Sequence, residues 1–121
     1  MVKALFDTNI LIDYLNGIVQ AREELARYEE KAISIVTWME VMVGAARPVE
    51  AATRDFLDGF EVIALDNNVA ERAIAFRKTS KVKLPDAIIW ASAQANGLLL
   101  VTRNVKDFPV ADPGVRMPYV V

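Results

Sequence analysis

The chain has 121 residues, a formal charge of -2 and neither cysteine nor histidine. That length makes one compact domain, because two would each be too small to bury a good core. A composition 54% hydrophobic and 25% charged is globular rather than disordered. The missing residue types exclude disulfides, thiolate nucleophiles, Cys- or His-ligated zinc, and every triad or ribonuclease mechanism built on histidine.

In chain order, short apolar runs alternate with amphipathic ones. Residues 2–6 predict a strand, and residues 8–15 a helix ended by Asn16-Gly17. Helix formers fill 20–30, with Leu25 and Tyr28 on the apolar side. A second strand is expected at 32–36, then a helix over 38–46 with Pro48 just past its end. Another helix covers 49–57 and stops at Gly59. A third strand at 60–65 leads into an amphipathic helix over 68–80, carrying Val69, Ala73, Ile74 and Phe76. A basic linker at 81–84 precedes an apolar helix over 85–96, with Pro85 at its start and Gly97 beyond its end. Residues 98–101 predict a fourth strand, and the tail from Val115 a short edge strand, although Pro118 lies in it. Strands separated by helices pair in parallel, so the expected class is a layered α/β domain spanning 1–121. No apolar stretch reaches membrane-spanning length and no signal segment is evident, so the expected location is the cytoplasm, with no membrane partner.

Chemistry must come from carboxylates, hydroxyls, amides, Lys and Arg. In an open α/β sheet, ligands bind beyond the carboxyl ends of the strands. Asp7 ends the first strand, followed by Thr8-Asn9; Glu40 follows the second, in the first turn of its helix; Asp66 ends the third; Thr102, Arg103, Asn104 and Asp107 follow the fourth; Asp86 opens the Pro85 helix. Each acid also has a plain structural use. Asp7 and Asp66 are helix caps, Thr37 to Glu40 reads as a capping box, Asp86 is a first-turn acid, and Asn104 starts a turn. As a set, several carboxylates aimed at one crevice repel each other, and a divalent cation such as Mg²⁺ or Mn²⁺ removes that penalty. Such a cation acidifies a bound water and polarises a phosphoryl oxygen, so phosphodiester hydrolysis is the natural chemistry for a site without histidine.

Four segments in order resemble a known family. Leu5-Phe6-Asp7-Thr8-Asn9-Ile10-Leu11-Ile12-Asp13 looks like the opening of a PIN domain. Trp38-Met39-Glu40-Val41-Met42-Val43-Gly44, Leu84-Pro85-Asp86-Ala87-Ile88-Ile89-Trp90-Ala91, and Leu100-Val101-Thr102-Arg103-Asn104-Val105-Lys106-Asp107-Phe108 look like its later motifs. Order and spacing are most similar to VapC-type toxins of toxin–antitoxin pairs, across essentially the whole chain. The resemblance implies a three-layer α/β/α domain with a mostly parallel central sheet of four to five strands. It implies an Mg²⁺- or Mn²⁺-dependent endoribonuclease. Asp7, Glu40 and Asp86 match the main acids and would hold the metal. Thr102 matches a hydroxyl position beside it, and Asn9 would orient Asp7. The fourth acidic position is occupied by Asn104, with Asp107 three residues on, so both belong to the candidate catalytic set.

RNA must approach an acidic site along positive charge. Arg72, Arg77, Lys78, Lys81 and Lys83 precede Asp86, and Arg103 and Lys106 follow the fourth strand. Lys83 and Arg103 neighbour site residues and are the expected phosphate contacts. Trp38 and Trp90 have apolar neighbours and are expected in the core rather than against bases. Ile10, Leu11, Tyr14 and Leu15 form an apolar helix face, expected mostly in the core. The resemblance further implies a homodimer and a cognate antitoxin that covers apolar surface and the site. Two other readings stand beside the toxin: a PIN-domain nuclease of RNA processing, and a noncatalytic α/β binding module whose acids are only caps.

Overall fold

The computed structural model describes residues 2–109 and 111–121. The elements run β1 (Ala4–Phe6), α1 (Thr8–Leu15), α2 (Val19–Ala26), β2 (Lys31–Ser34), α3 (Ile35–Gly44), a single 3₁₀ turn (Arg47–Val49), α4 (Glu50–Leu57), β3 (Glu61–Ile63), α5 (Asn67–Thr79), α6 (Leu84–Ala95), β4 (Leu99–Val101) and β5 (Val115–Arg116). All strand pairs are parallel, in the order β3-β2-β1-β4-β5. The chain therefore builds outward from β1 through β2 to β3, then returns to the other side of β1 with β4. That reversal puts the topological switch point between β1 and β4.

Side chains alternate across the sheet with the period of two that strands impose. Ala4 and Phe6 face Ile10, Leu11, Leu25, Ile33 and Leu57, beneath α1 to α4. Leu5 points the other way, toward Val69, Ala73, Ile89 and Leu100, beneath α5 and α6. Two cores on opposite faces of one sheet make the three-layer α/β/α architecture that the sequence implied.

Local chemistry moves several boundaries. β2 stops at Ser34 because the Ser34 hydroxyl accepts from the Val36 amide and caps α3 there, three residues before the expected cap at Thr37. The expected capping box at 37–40 is therefore not formed, and Glu40 lies in the second turn of α3, not the first. α2 ends at Ala26 rather than 30, yet Tyr28 still reaches the core, edge-on to Phe6. The tail strand forms despite Pro118, pairing Val115 and Arg116 with Leu100 and Val101. On α1, Ile10 and Leu11 are fully buried, while Tyr14 and Leu15 stay exposed. Trp90 stacks on Phe76 and meets Phe108 edge-on, and Trp38 packs beneath the Arg54 guanidinium.

Candidate active site

Asp7 follows directly on β1, and Thr102 directly on β4, so the two strands flanking the switch point deliver adjacent side chains. The Thr102 hydroxyl donates to Asp7 Oδ2 at 2.7 Å, and the Asn9 amide donates to the same oxygen at 3.2 Å. Asp7 Oδ1 accepts from the Thr8 amide, so Asp7 is also the cap of α1. Its structural role and its presence at the site are thus compatible. With three donors it is fixed in orientation, but among the described residues no cationic side chain pairs with it.

Glu40 reaches the same crevice from α3. The Thr8 hydroxyl lies 2.6 Å from Glu40 Oε1 and 3.0 Å from Thr37 Oγ1. With a single proton, Thr8 donates to Glu40 and accepts from the buried Thr37 hydroxyl. Asp86 stands in the first turn of α6, where the helix dipole favours a carboxylate. Asn104 and Asp107 form a closed pair: the Asn104 amide donates to Asp107 Oδ2 at 2.9 Å, and the Asp107 backbone N–H returns to Asn104 Oδ1. The Asn104 backbone N–H donates to the Thr102 hydroxyl, which links this turn to Asp7.

The acids sense each other. Burial pushes the Asp7 carboxyl up to about 6; hydrogen bonds from Thr102 and Thr8 oppose this, and the charges of Asp86 and Glu40 add to it. Asp86 is also raised, by burial first, then by Asp107 and Glu40, with Lys83 working the other way. Asp7, Glu40, Asp86 and Asp107 therefore share one field beyond the carboxyl ends of β1 and β4. Asp66 stands apart as a cap of α5, accepting from the Val69 amide.

This all-oxygen donor set, whose charges help raise the carboxyls of Asp7 and Asp86, is the chemistry a hard divalent cation relieves. The arrangement is open: among the described residues no three acidic side chains already gather as a ready metal cage. Mg²⁺ commonly binds through one or two carboxylates and keeps several waters, so the residues fit such an ion.

Lys83 directly precedes α6, is exposed, and acts on Asp86. Arg103, expected to face RNA, is committed elsewhere: its guanidinium forks onto Asp13, with Nε–Oδ2 2.5 Å and Nη2–Oδ1 3.0 Å. Asp13 and Thr8 are the neighbours that sequence reasoning left out. Thr8 had a signal, sitting between Asp7 and Asn9, but Asp13 finds its partner 90 residues away.

The PIN domain family model matches residues 4–112. The chain belongs to the PIN domain family. Its relatives place it beside the VapC proteins of that family. It is 30% identical to Ribonuclease VapC10 of Mycobacterium tuberculosis, covering 97% of this chain and 93% of that one. It is also 30% identical to the tRNA(fMet)-specific endonuclease VapC of Salmonella typhimurium, covering 97% of each. Among solved structures, a chain of a toxin–antitoxin complex from Klebsiella pneumoniae is 50% identical, with a TM-score of 0.92 over 98% of this chain and 99% of that one. A chain of the DNA-bound VapBC complex of Salmonella typhimurium is 28% identical, with a TM-score of 0.75 over 96% of each.

Proposed function

We propose that the protein is the toxin of a VapBC-type toxin–antitoxin pair and acts as a divalent-metal-dependent endoribonuclease in the cytoplasm. One observation carries the chemistry: Asp7 is buried at the switch point with no cationic partner among the described residues, in the field of Glu40 and Asp86. The relatives named as ribonucleases support RNA as the substrate, and the toxin–antitoxin complex supports a protein partner.

Asp7 and Asp86, with Glu40, would hold Mg²⁺ or Mn²⁺, which supplies a water of lowered pKa and counter-charge for phosphoryl oxygens. Around it, this chain's residues fix the geometry. Thr102 and Asn9 hold Asp7 in one orientation, and Thr8 holds Glu40 toward the crevice. The Asn104–Asp107 pair adds a carboxylate near Asp86 in the outer part of the site. Lys83 offers a positive charge to the phosphate beside the cut. An apolar groove of about 620 Å³ between α1, α3 and α4, lined in part by Ile12, Leu15, Val41 and Val49, suits the apolar face of an antitoxin segment. Exposed Met39 and Val43 on α3 suit a second copy of the chain. No helix among the described residues is long and apolar enough to cross a membrane.

The test is cleavage of RNA by the purified chain with Mg²⁺, with Mn²⁺ and with EDTA, alongside Asp86→Asn. Cleavage that needs the cation and disappears in a folded Asp86→Asn protein supports the reading. Cleavage in EDTA, or undiminished in Asp86→Asn, refutes it.

A further inference from the structure

Arg103 lies between Thr102 and Asn104, two residues of the candidate site, yet its own side chain turns away from the acids. Asn9 and Asp13 are four residues apart on α1 and share one face of that helix. Together they hold Arg103 at both ends. The Arg103 backbone N–H donates to Asn9 Oδ1 at 3.3 Å, and the guanidinium forks onto both Asp13 oxygens. From beyond β5, the Tyr119 hydroxyl donates to Asp13 Oδ2 at 2.8 Å. Asp13 is 7% exposed, so an unpaired charge there would be costly, and a planar fork satisfies it better than a single ammonium would. Asn9 itself donates to Asp7. A continuous set of hydrogen bonds thus runs from Tyr119 through Asp13 and Arg103 to Asn9, Asp7 and the turn bearing Thr102 and Asn104.

We infer that Asp13, Arg103 and Tyr119 are positioning residues for RNA cleavage: their network clamps the turn after β4 so that Thr102 and Asn104 face the acids. The inference rests on the nuclease reading above. It assigns Arg103 to the turn and removes it from the RNA contacts. None of the three touches the reacting atoms, so their effect is on rate through geometry and not on substrate affinity.

The decisive comparison is Arg103→Lys against wild type. A lysine keeps the point charge that a phosphate contact needs but cannot fork onto Asp13. The clamp predicts that Arg103→Lys lowers kcat about tenfold to a hundredfold, the scale of lost outer-sphere support. KM and the salt dependence of RNA binding stay within about twofold of wild type. Asp13→Asn/Arg103→Gln removes both charges together, leaving neither buried alone. It is expected to lose no more activity than the worse single variant, because the pair acts as one unit. Tyr119→Phe removes one hydroxyl and should lower kcat about twofold to fivefold, below the scale of the full clamp. Independently of activity, amide hydrogen exchange at Asn104 should speed up in the double variant and in Arg103→Lys.

Full kcat in Arg103→Lys, or raised KM with kcat unchanged, overturns the clamp and returns Arg103 to the RNA path. Unchanged exchange at Asn104 in the double variant overturns it too. The nuclease reading fails separately: there the wild-type chain does not cut RNA, while the exchange measurement still reports on the clamp.

Discussion

Asp7 and Glu24 are each 4% exposed, and the fold treats them in opposite ways. Burial raises the Glu24 carboxyl, but hydrogen bonds from Arg116 and Tyr28 and the charges of Arg116 and Arg27 outweigh it, leaving the group below its usual range. Arg116 forks onto Glu24 at 2.8 and 3.0 Å, tying β5 to α2. Asp13 receives the same treatment from Arg103. Asp7 receives hydrogen bonds but no cation, and is pushed up to about 6 with more acids beside it. The fold neutralises two buried carboxylates with arginine forks; the third, at the switch point, has no cationic partner among the described residues. A carboxylate kept costly where the topology places ligands is what the proposed cation site rests on.

The largest effect should follow from removing the uncompensated charge. Asp7→Asn is expected to lower RNA cleavage by on the order of a hundredfold or more, the scale of losing one preorganised electrostatic contact. Single-turnover cleavage with circular dichroism as a fold control measures it. At the compensated site the effect should fall on stability instead. Arg116→Ala takes the fork from the buried Glu24 carboxylate, leaving only the Tyr28 hydroxyl and the more distant Arg27, and about 3 kcal/mol of folding free energy should be lost in urea unfolding at pH 7. Equal stability of the two proteins would mean that the fork is not what holds Glu24.

The two sites should also differ in pH dependence. Because the folded Asp7 pKa lies above its unfolded value, the native state binds more protons between about pH 4 and 6. Metal-free stability therefore falls as pH rises through that window, by up to about 3 kcal/mol from this one group. Asp7→Asn removes this charge, so the variant gains on wild type between about pH 4 and 7, while the Asn oxygen can still cap α1. Glu24 carries the reverse sign: its lowered pKa gives stability that is present above the unfolded value and is lost in acid. Paired urea melts at pH 4 and pH 7 read both, and parallel curves for wild type and Asp7→Asn would contradict the first.

The smallest effects belong to the outer pair. Asn104→Ala and Asp107→Asn should each impair cleavage less than Asp7→Asn. Asn104→Asp should retain activity and bind the cation more tightly, since it adds charge to a hard-oxygen site. Loss in Asp107→Asn as deep as in Asp7→Asn, with Asn104→Ala unaffected, would make Asp107 a principal ligand.

Much of this was legible in the residues. Short apolar runs punctuated by Asn16-Gly17, Pro48, Gly59 and Gly97 give the alternation of strands and helices, and alternation gives parallel pairing. The positive φ of Gly17 and Gly97 is why those breaks hold glycine. Asp7 and Asp86 stand out because they fall at a strand end and a helix start. Ser34 and Thr37 offer equivalent hydroxyls for the cap of α3, and only the geometry shows that Ser34 meets the free amide. The arginine forks were invisible for another reason. Asp13 and Arg103, and Glu24 and Arg116, meet across separations of 90 and 92 residues. No local pattern in the sequence distinguishes an arginine that forks onto a distant carboxylate from one that faces a phosphate.

In the proposed reading, the buried Asp7 carboxylate holds a divalent cation. The most direct test is thermal unfolding of wild type and Asp7→Asn across a titration of Mg²⁺ and Mn²⁺, without RNA. Wild type should gain about 2.7 kcal/mol at a cation concentration a hundred times its Kd, and EDTA should reverse the gain. The gain should shrink strongly in Asp7→Asn. Equal stabilisation of the two proteins, or none of wild type, would show that Asp7 does not hold the cation.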